Sequence, residues 1–154
     1  MARKSKYEHS SAKLSTTLWK PALYIRLSRE DGDREESNSI ASQRELLTEF
    51  TNAQTDMAAP RLYTDDGYTG TDFDRPDFQR MLNDLRAGII NCVIVKDLSR
   101  LGRNTIDTGY YIEQYFRIRN IRFIAVNENF DTANPEDAHS GIIIPLRNMI
   151  NEAY

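Results

Sequence analysis

The chain has 154 residues, 40% hydrophobic and 28% charged, with 7 Gly and 5 Pro, a balance that fits one globular domain and excludes a fibrous or low-complexity polymer. No apolar run approaches the roughly 20 residues that a membrane helix needs, and the N-terminus lacks the apolar core of a secretory signal, so a cytoplasmic protein without membrane contact is expected. The formal net charge is −3; residues 1–20 hold five basic residues against Glu8, which leaves −7 on the remainder and excludes a domain that grips nucleic acid by bulk positive charge.

Any phosphate site must therefore be local. Beyond residue 20 there is one lysine, Lys96, against fourteen arginines, a supply of planar donors suited to phosphate or carboxylate oxygens. The polar residues 1–20 read as a flexible basic tail, with the domain proper expected over 21–138. Ala22 to Ser28 alternates, setting Leu23, Ile25 and Leu27 on one face and Tyr24, Arg26 and Ser28 on the other, as in a strand. A charged loop follows to Ser37-Asn38-Ser39, any of which could cap a helix that buries Ile40, Leu46, Leu47 and Phe50 and runs to about Gln54. Arg61 to Thr64 fits a second strand, and Asp65 to Thr71 a turn-rich loop. Pro76 suits the first turn of a helix whose Phe78, Met81, Leu82 and Leu85 are spaced for burial, and Gly88 ends it. Ile89 to Lys96 holds a short buried strand in which Cys92 reads as a structural thiol. Leu98 to Asn104 reads as a loop. Asn104 would cap a helix to about Arg119 that draws apolar contacts from Ile106, Tyr110, Ile112, Tyr115 and Phe116, and Arg122 to Val126 is a further strand. Asn127 to Ala138 reads as a polar loop, and the apolar residues from Gly141 onward as a helix perturbed near Pro145. No stop signal precedes Tyr154, so a longer natural protein is expected. Alternating strands and helices imply an α/β fold, a mostly parallel central sheet flanked by helices, with binding groups at the strands' carboxyl ends.

Three separated pieces carry chemistry: Tyr24-x-Arg26-x-Ser28, the loop ending Asp74-Arg75-Pro76, and Lys96-Asp97-Leu98-Ser99-Arg100-Leu101-Gly102-Arg103-Asn104. Each has a plain structural alternative. Ser28 could be a turn residue, Arg26 a surface ion-pair partner and Arg75 a solvated side chain. Arg100 and Arg103 are harder to dismiss, since a loop arginine gains little from packing. Jointly the pieces suit phosphoryl transfer, in which a serine attacks a phosphodiester and arginines stabilise the charge that develops on its oxygens. The histidines, His9 and His139, fall outside these motifs, which argues against a Ser-His-Asp triad or a histidine metal cluster.

The order YIRLS, a Ser/Asn-rich helix start with Gln43, DDGYTGTDFDRP, then KDLSRLGRN resembles the resolvase/invertase superfamily of serine recombinases throughout 21–154, and within it the large serine recombinases of mobile elements. The resemblance implies that Ser28 is the nucleophile, that Arg26, Arg100 and Arg103 surround the scissile phosphate, and that Arg75 and Gln43 complete the site. Tyr24 and Lys96 belong to the matching motifs, and Asp66 and Thr69 match family loop positions with supporting roles. Ser99 departs from the aspartate usual in small resolvases, and Asp97 is the candidate substitute. Also implied are cleavage of double-stranded DNA through a 5′-phosphoserine, strand exchange and religation without metal, cofactor or ATP, a dimer on each site and a tetramer in synapsis. Residues 139–154 would begin the oligomerisation helix. Two competing readings are a metal-dependent nuclease or phosphotransferase, with Asp65, Asp66, Asp72, Asp74 and Asp97 gathered around Mg²⁺, and a receiver-like signalling module with Asp97, Glu30 and Asp31. The second leaves Arg26, Arg100 and Arg103 unexplained.

Overall fold

The computed structural model describes residues 18–27, 38–67, 74–102 and 105–140. In chain order these form β1 (Pro21–Leu27), α1 (Ile40–Asn52), β2 (Arg61–Asp66), α2 (Pro76–Arg86), β3 (Cys92–Val95), a helical turn α3 (Leu98–Leu101), α4 (Thr105–Tyr110) running on as a π-helical segment (Tyr111–Phe116), β4 (Arg122–Ala125), β5 (Phe130–Asp131) and α5 (Pro135–Ser140).

The sheet order is β2-β1-β3-β4-β5. The first four strands are parallel and β5 lies antiparallel on the edge. Alternation along β1 divides the core into two layers. Leu23 and Ile25 pack with Cys92, Ile94, Ile124 and Leu47 beneath α1, and Ile40, Leu46 and Phe50 lie half-buried around them. Ala22 and Tyr24 face the other layer, where Phe78, Met81, Leu82 and Leu85 of α2 meet Leu98, Ile112, Tyr115 and Phe116. The chain leaves β1 toward β2 on one side and returns to β3 on the other. The topological switch point therefore lies at their carboxyl ends, where open α/β sheets place ligands.

Helix ends follow local chemistry. Ser39, in extended conformation, takes the Ser42 N–H on its hydroxyl at 3.1 Å and caps α1. Helix α2 ends in a Schellman motif: Gly88 at φ 75° lets the Ile89 N–H reach the Asp84 carbonyl (3.0 Å) and its own N–H the Leu85 carbonyl (3.2 Å).

Four expectations change. Within the expected 98–104 loop, Leu98–Leu101 make a helical turn, since Leu98 and Leu101 are both buried and can pack only if the chain coils. The expected loop 127–138 contains β5 and α5, because Asn129 at φ 53° closes a tight turn that returns the chain to β4. In the helix after Thr105, Ile106 and Tyr110 face solvent, at 81% and 53% exposure. The buried stripe instead passes through Thr108, four residues before Ile112, and the wider π-helical turn carries Tyr115 and Phe116 inward. Finally, contacts with the domain begin before Pro21: Trp19 bridges to Met57, and Lys20 donates to Asn91 and Gly88. The Asn104 cap and the helix from Gly141 lie outside the described residues. Among the described residues no helix is long and apolar enough to cross a membrane.

Candidate active site at the carboxyl end of the sheet

Strand β1 pairs with β3 from Pro21↔Cys92 to Leu23↔Ile94, while its pairing with β2 runs from Ala22 to Leu27. The last residues of β1 therefore part from β3, and α3 fills the opening. Arg26, fully buried, donates from Nε to the Arg100 carbonyl (3.2 Å) and from Nη2 to the Ser99 carbonyl (2.6 Å). Arg100 answers by donating from Nη1 to the Arg26 carbonyl at 2.8 Å. The Leu98 carbonyl takes the Gly102 N–H at 3.3 Å, and guanidinium groups satisfy the later carbonyls of so short a helix, those of Ser99, Arg100 and Leu101. A surface ion-pair role for Arg26 is incompatible with its burial.

Arg75 enters from the start of α2. It holds the N-cap position but does not cap the helix with its side chain. That work falls to Asp65 at the end of β2, whose carboxylate accepts the N–H groups of Asp77 and Phe78, each at 3.0 Å, while Asp77 accepts the Thr64 N–H at 2.8 Å. Reciprocal capping pins the helix start to the strand and lets Arg75 turn inward. Its guanidinium lies against the rings of Phe78 and Tyr24, 4.9 and 5.5 Å from their centroids. It donates to the Tyr24 hydroxyl (2.9 Å) and to the carbonyls of Arg100 (3.3 Å) and Leu101 (2.5 Å). The Tyr24 hydroxyl donates in turn to Asp65 at 2.8 Å. Burial pushes the Tyr24 phenol well above its ordinary value of 10 despite the pull of the Arg75 cation. Tyr24 is thus a neutral link between a carboxylate and a guanidinium.

On the α1 side, the buried Gln43 amide donates to the carbonyls of Arg26 (3.2 Å) and Asn38 (2.7 Å). Its Oε1 is buried without a hydrogen-bond partner, a state that ordinarily signals a missing donor. Lys96 reaches across to Asn38 Oδ1 at 2.6 Å. Ser99 hydrogen-bonds to Asp97 Oδ1 and accepts from Arg100 Nη2 at 3.1 Å. Gly67, in the left-handed region at φ 86°, donates its N–H to the Leu27 carbonyl at 2.6 Å and so ties the loop after β2 to the residue before Ser28.

Of the residues singled out from sequence, Tyr24, Arg26, Gln43, Arg75, Lys96, Asp97, Ser99 and Arg100 come together here. Asp66 is exposed at the end of β2, and Ser28, Thr69 and Arg103 lie outside the described residues. Sequence reading named Asp65 only as a candidate metal ligand and missed its part in capping α2 and holding Tyr24, although period-2 alternation carried past Thr64 puts it on the buried face with Tyr63. It also missed Glu128 and the reach of Lys96 to Asn38, pairings that span 30 and 58 residues and left no signal. The acidic residues proposed to gather around a metal divide: Asp65 serves Tyr24 and α2, and Asp97 serves Ser99 and Arg100. Among the described residues no three His, Cys, Asp or Glu side chains are grouped to hold a metal ion.

The model of the family described as "Resolvase, N terminal domain" matches residues 22–153. The N-terminal catalytic domain of TP901-1 integrase is 30% identical, with a TM-score of 0.71 over 87% of this chain and 97% of that one. A resolvase family site-specific recombinase from Streptococcus pneumoniae, 24% identical with a TM-score of 0.63 over 88% and 89% of the two chains, shares the fold. The Bacillus subtilis (strain 168) protein named "Putative DNA recombinase" is 30% identical over 131 residues, 85% of this chain, which spans only 24% of that relative's length. With three-quarters of that relative unmatched, what the likeness identifies is a domain: this chain belongs to the resolvase N-terminal domain family.

Proposed function

We propose that this chain is the catalytic domain of a site-specific serine recombinase and that Ser28 is its nucleophile. The observation that carries the reading is the meeting of Arg26, Arg75 and Arg100, from three separate segments, at the end of β1, with Arg26 and Arg75 on the Arg100 carbonyl and Arg100 on the Arg26 carbonyl, two residues before Ser28. Guanidinium groups held by carbonyls are preorganised, so no reorganisation is needed when charge builds on a phosphate. In the cleavage step Ser28 Oγ forms a bond to phosphorus and the bond from phosphorus to the 3′-oxygen breaks. The hydroxyl proton leaves Ser28 and one is delivered to the departing 3′-oxygen, giving a 5′-phosphoserine and a 3′-hydroxyl. Religation reverses these steps after strand exchange, so the phosphodiester energy is conserved.

Arg26, Arg75, Arg100 and Arg103 would stabilise the transition state. The unpartnered Gln43 Oε1 supports a role in accepting a hydrogen bond near Ser28, and Asp66 and Thr69 would have supporting roles. The partners are double-stranded DNA and further copies of the chain, paired on each site and assembled as a tetramer in synapsis through a helix begun by residues 139–154. Integration or excision of a mobile element is the outcome such chemistry serves.

The test is to incubate the full-length protein with sheared genomic DNA from the cells that encode it, quench with denaturant, and recover fragments that stay bound to protein. Covalent adducts at a discrete sequence are expected from the unsubstituted protein and none from Ser28→Ala. An adduct that survives that substitution removes Ser28 from the nucleophile's position.

A further inference from the structure

Asp97 occupies the N-cap position of α3, where an aspartate ordinarily accepts a main-chain N–H of the first turn. Here it makes no such bond. The Leu98 N–H is taken by the Glu128 carboxylate, at 3.1 and 3.3 Å, from the turn after β4. A residue 30 positions later in the chain thus does the capping, and the Asp97 carboxylate turns toward the arginine cluster. Its Oδ1 accepts the Ser99 hydroxyl and lies 3.5 Å from Arg100 Nε. Because the Ser99 hydroxyl gives its proton to Asp97, its oxygen lone pairs are left for Arg100 Nη2, 3.1 Å away. With Nη1 on the Arg26 carbonyl, Arg100 is held at all three of its nitrogens, two of them through Asp97 directly or by way of Ser99.

We propose that Asp97 is a positioning residue for Arg100, acting partly through the Ser99 hydroxyl, and that this network aims the guanidinium at the phosphate attacked by Ser28. An arginine side chain has four rotatable bonds, and holding it in one geometry costs rotamer freedom. The Arg26 carbonyl alone fixes one nitrogen, which permits rotation about that contact. The Asp97 and Ser99 contacts remove the rotation. Glu128 supports this arrangement, because it takes the Leu98 N–H that the Asp97 carboxylate leaves uncapped.

This inference rests on the recombinase reading, and its test separates the two. With the full-length protein and the DNA fragment recovered above, single-turnover adduct formation is measured against DNA concentration for Asp97→Ala, Asp97→Asn, Ser99→Ala and the double variant Asp97→Ala/Ser99→Asp. Asp97→Ala is expected to lower the maximal rate by about 10²-fold, as expected for a reacting group displaced by about an ångström, with half-saturating DNA and melting temperature unchanged. Asp97→Asn, which keeps the shape and an acceptor for Ser99, and Ser99→Ala, which keeps the Nε contact, should each fall less. The double variant moves the carboxylate to the Ser99 position, beside Arg100 Nη2, and should recover at least tenfold of the loss. A normal rate in Asp97→Ala, a loss that appears equally in DNA affinity or melting temperature, or no recovery in the double variant overturns the assignment. If the unsubstituted protein forms no adduct, the recombinase reading falls and this inference falls with it.

Discussion

Two regions of the molecule hold largely buried arginines, and they treat them differently. At the edge of the sheet Arg122 meets carboxylates: Nε and Nη2 lie 3.0 and 2.7 Å from Asp131, and Nη1 lies 3.2 Å from Asp56. The Asp131 carboxylate holds this guanidinium firmly in its charged form. At the carboxyl end of the sheet Arg26 and Arg75 donate to main-chain carbonyls of α3, and Arg100 combines the Arg26 carbonyl with a longer approach, 3.5 Å, to Asp97. A carboxylate cancels the charge it binds and closes a structural clamp, whereas a carbonyl orients a guanidinium without neutralising it. The edge cluster ties β4, β5 and the segment before β2 together. The other cluster gathers cations at the carboxyl end of the sheet.

The largest expected effect breaks or upholds this contrast directly. Arg100→Ala should lower the single-turnover rate of adduct formation by about 10²- to 10³-fold, the cost of losing one preorganised donor to the transition state. Arg122→Ala should leave the rate of the folded protein unchanged. Equal losses from the two would abolish the distinction. Next, Tyr24→Phe removes the hydroxyl shared by Asp65 and Arg75 and leaves both short of a partner in a buried site. Urea unfolding should show a loss of about 2 kcal/mol.

A smaller effect concerns an ordinary structural pair on α2. Burial pushes the Asp77 carboxyl up, but the Arg80 guanidinium and the Thr64 N–H outweigh it and hold the group below its usual value of 3.8. Its contribution is present above that value and is lost as the pH falls through the lowered one. Because Asp77 is about a third exposed, Asp77→Asn should cost only about 0.5–1 kcal/mol near neutrality and flatten the acid limb of stability against pH. An unchanged acid limb would show that the pair contributes nothing. The smallest effect lies beside Arg122. Burial pushes the Cys92 thiol up to about 12 against the pull of that cation. A disulfide reagent should label Cys92 only after unfolding, in the unsubstituted protein and in Arg122→Ala alike. Fast labelling of the folded variant would mean that Arg122, not burial, keeps the thiol inert.

Much of this fold was legible in the amino-acid order because its elements obey local rules. Alternation from Leu23 to Leu27 defined β1, the spacing of Phe78, Met81, Leu82 and Leu85 defined α2, and Gly88 ended it. The motifs around Arg26, Arg75 and Arg100 were likewise readable, since loop glycines and arginines have few reasons to recur together. Periodicity failed where a helix changed its period. Ile106 and Tyr110 fit a 3.6-residue stripe that the π-helical turn displaces, and no local rule announces that turn.

What the sequence by itself determined was β1 to β4 with the longer helices between them, their parallel arrangement and the residue types offered at the strand ends, because each follows from spacing along one segment. Only the tertiary structure decided which polar group serves which partner. Asp65 caps a helix from the neighbouring strand, Glu128 caps α3 from 30 residues away, and Asp97 is thereby turned toward Arg100. Buried donors and acceptors must be satisfied by whatever the fold brings within reach, and that is settled by packing across the sheet.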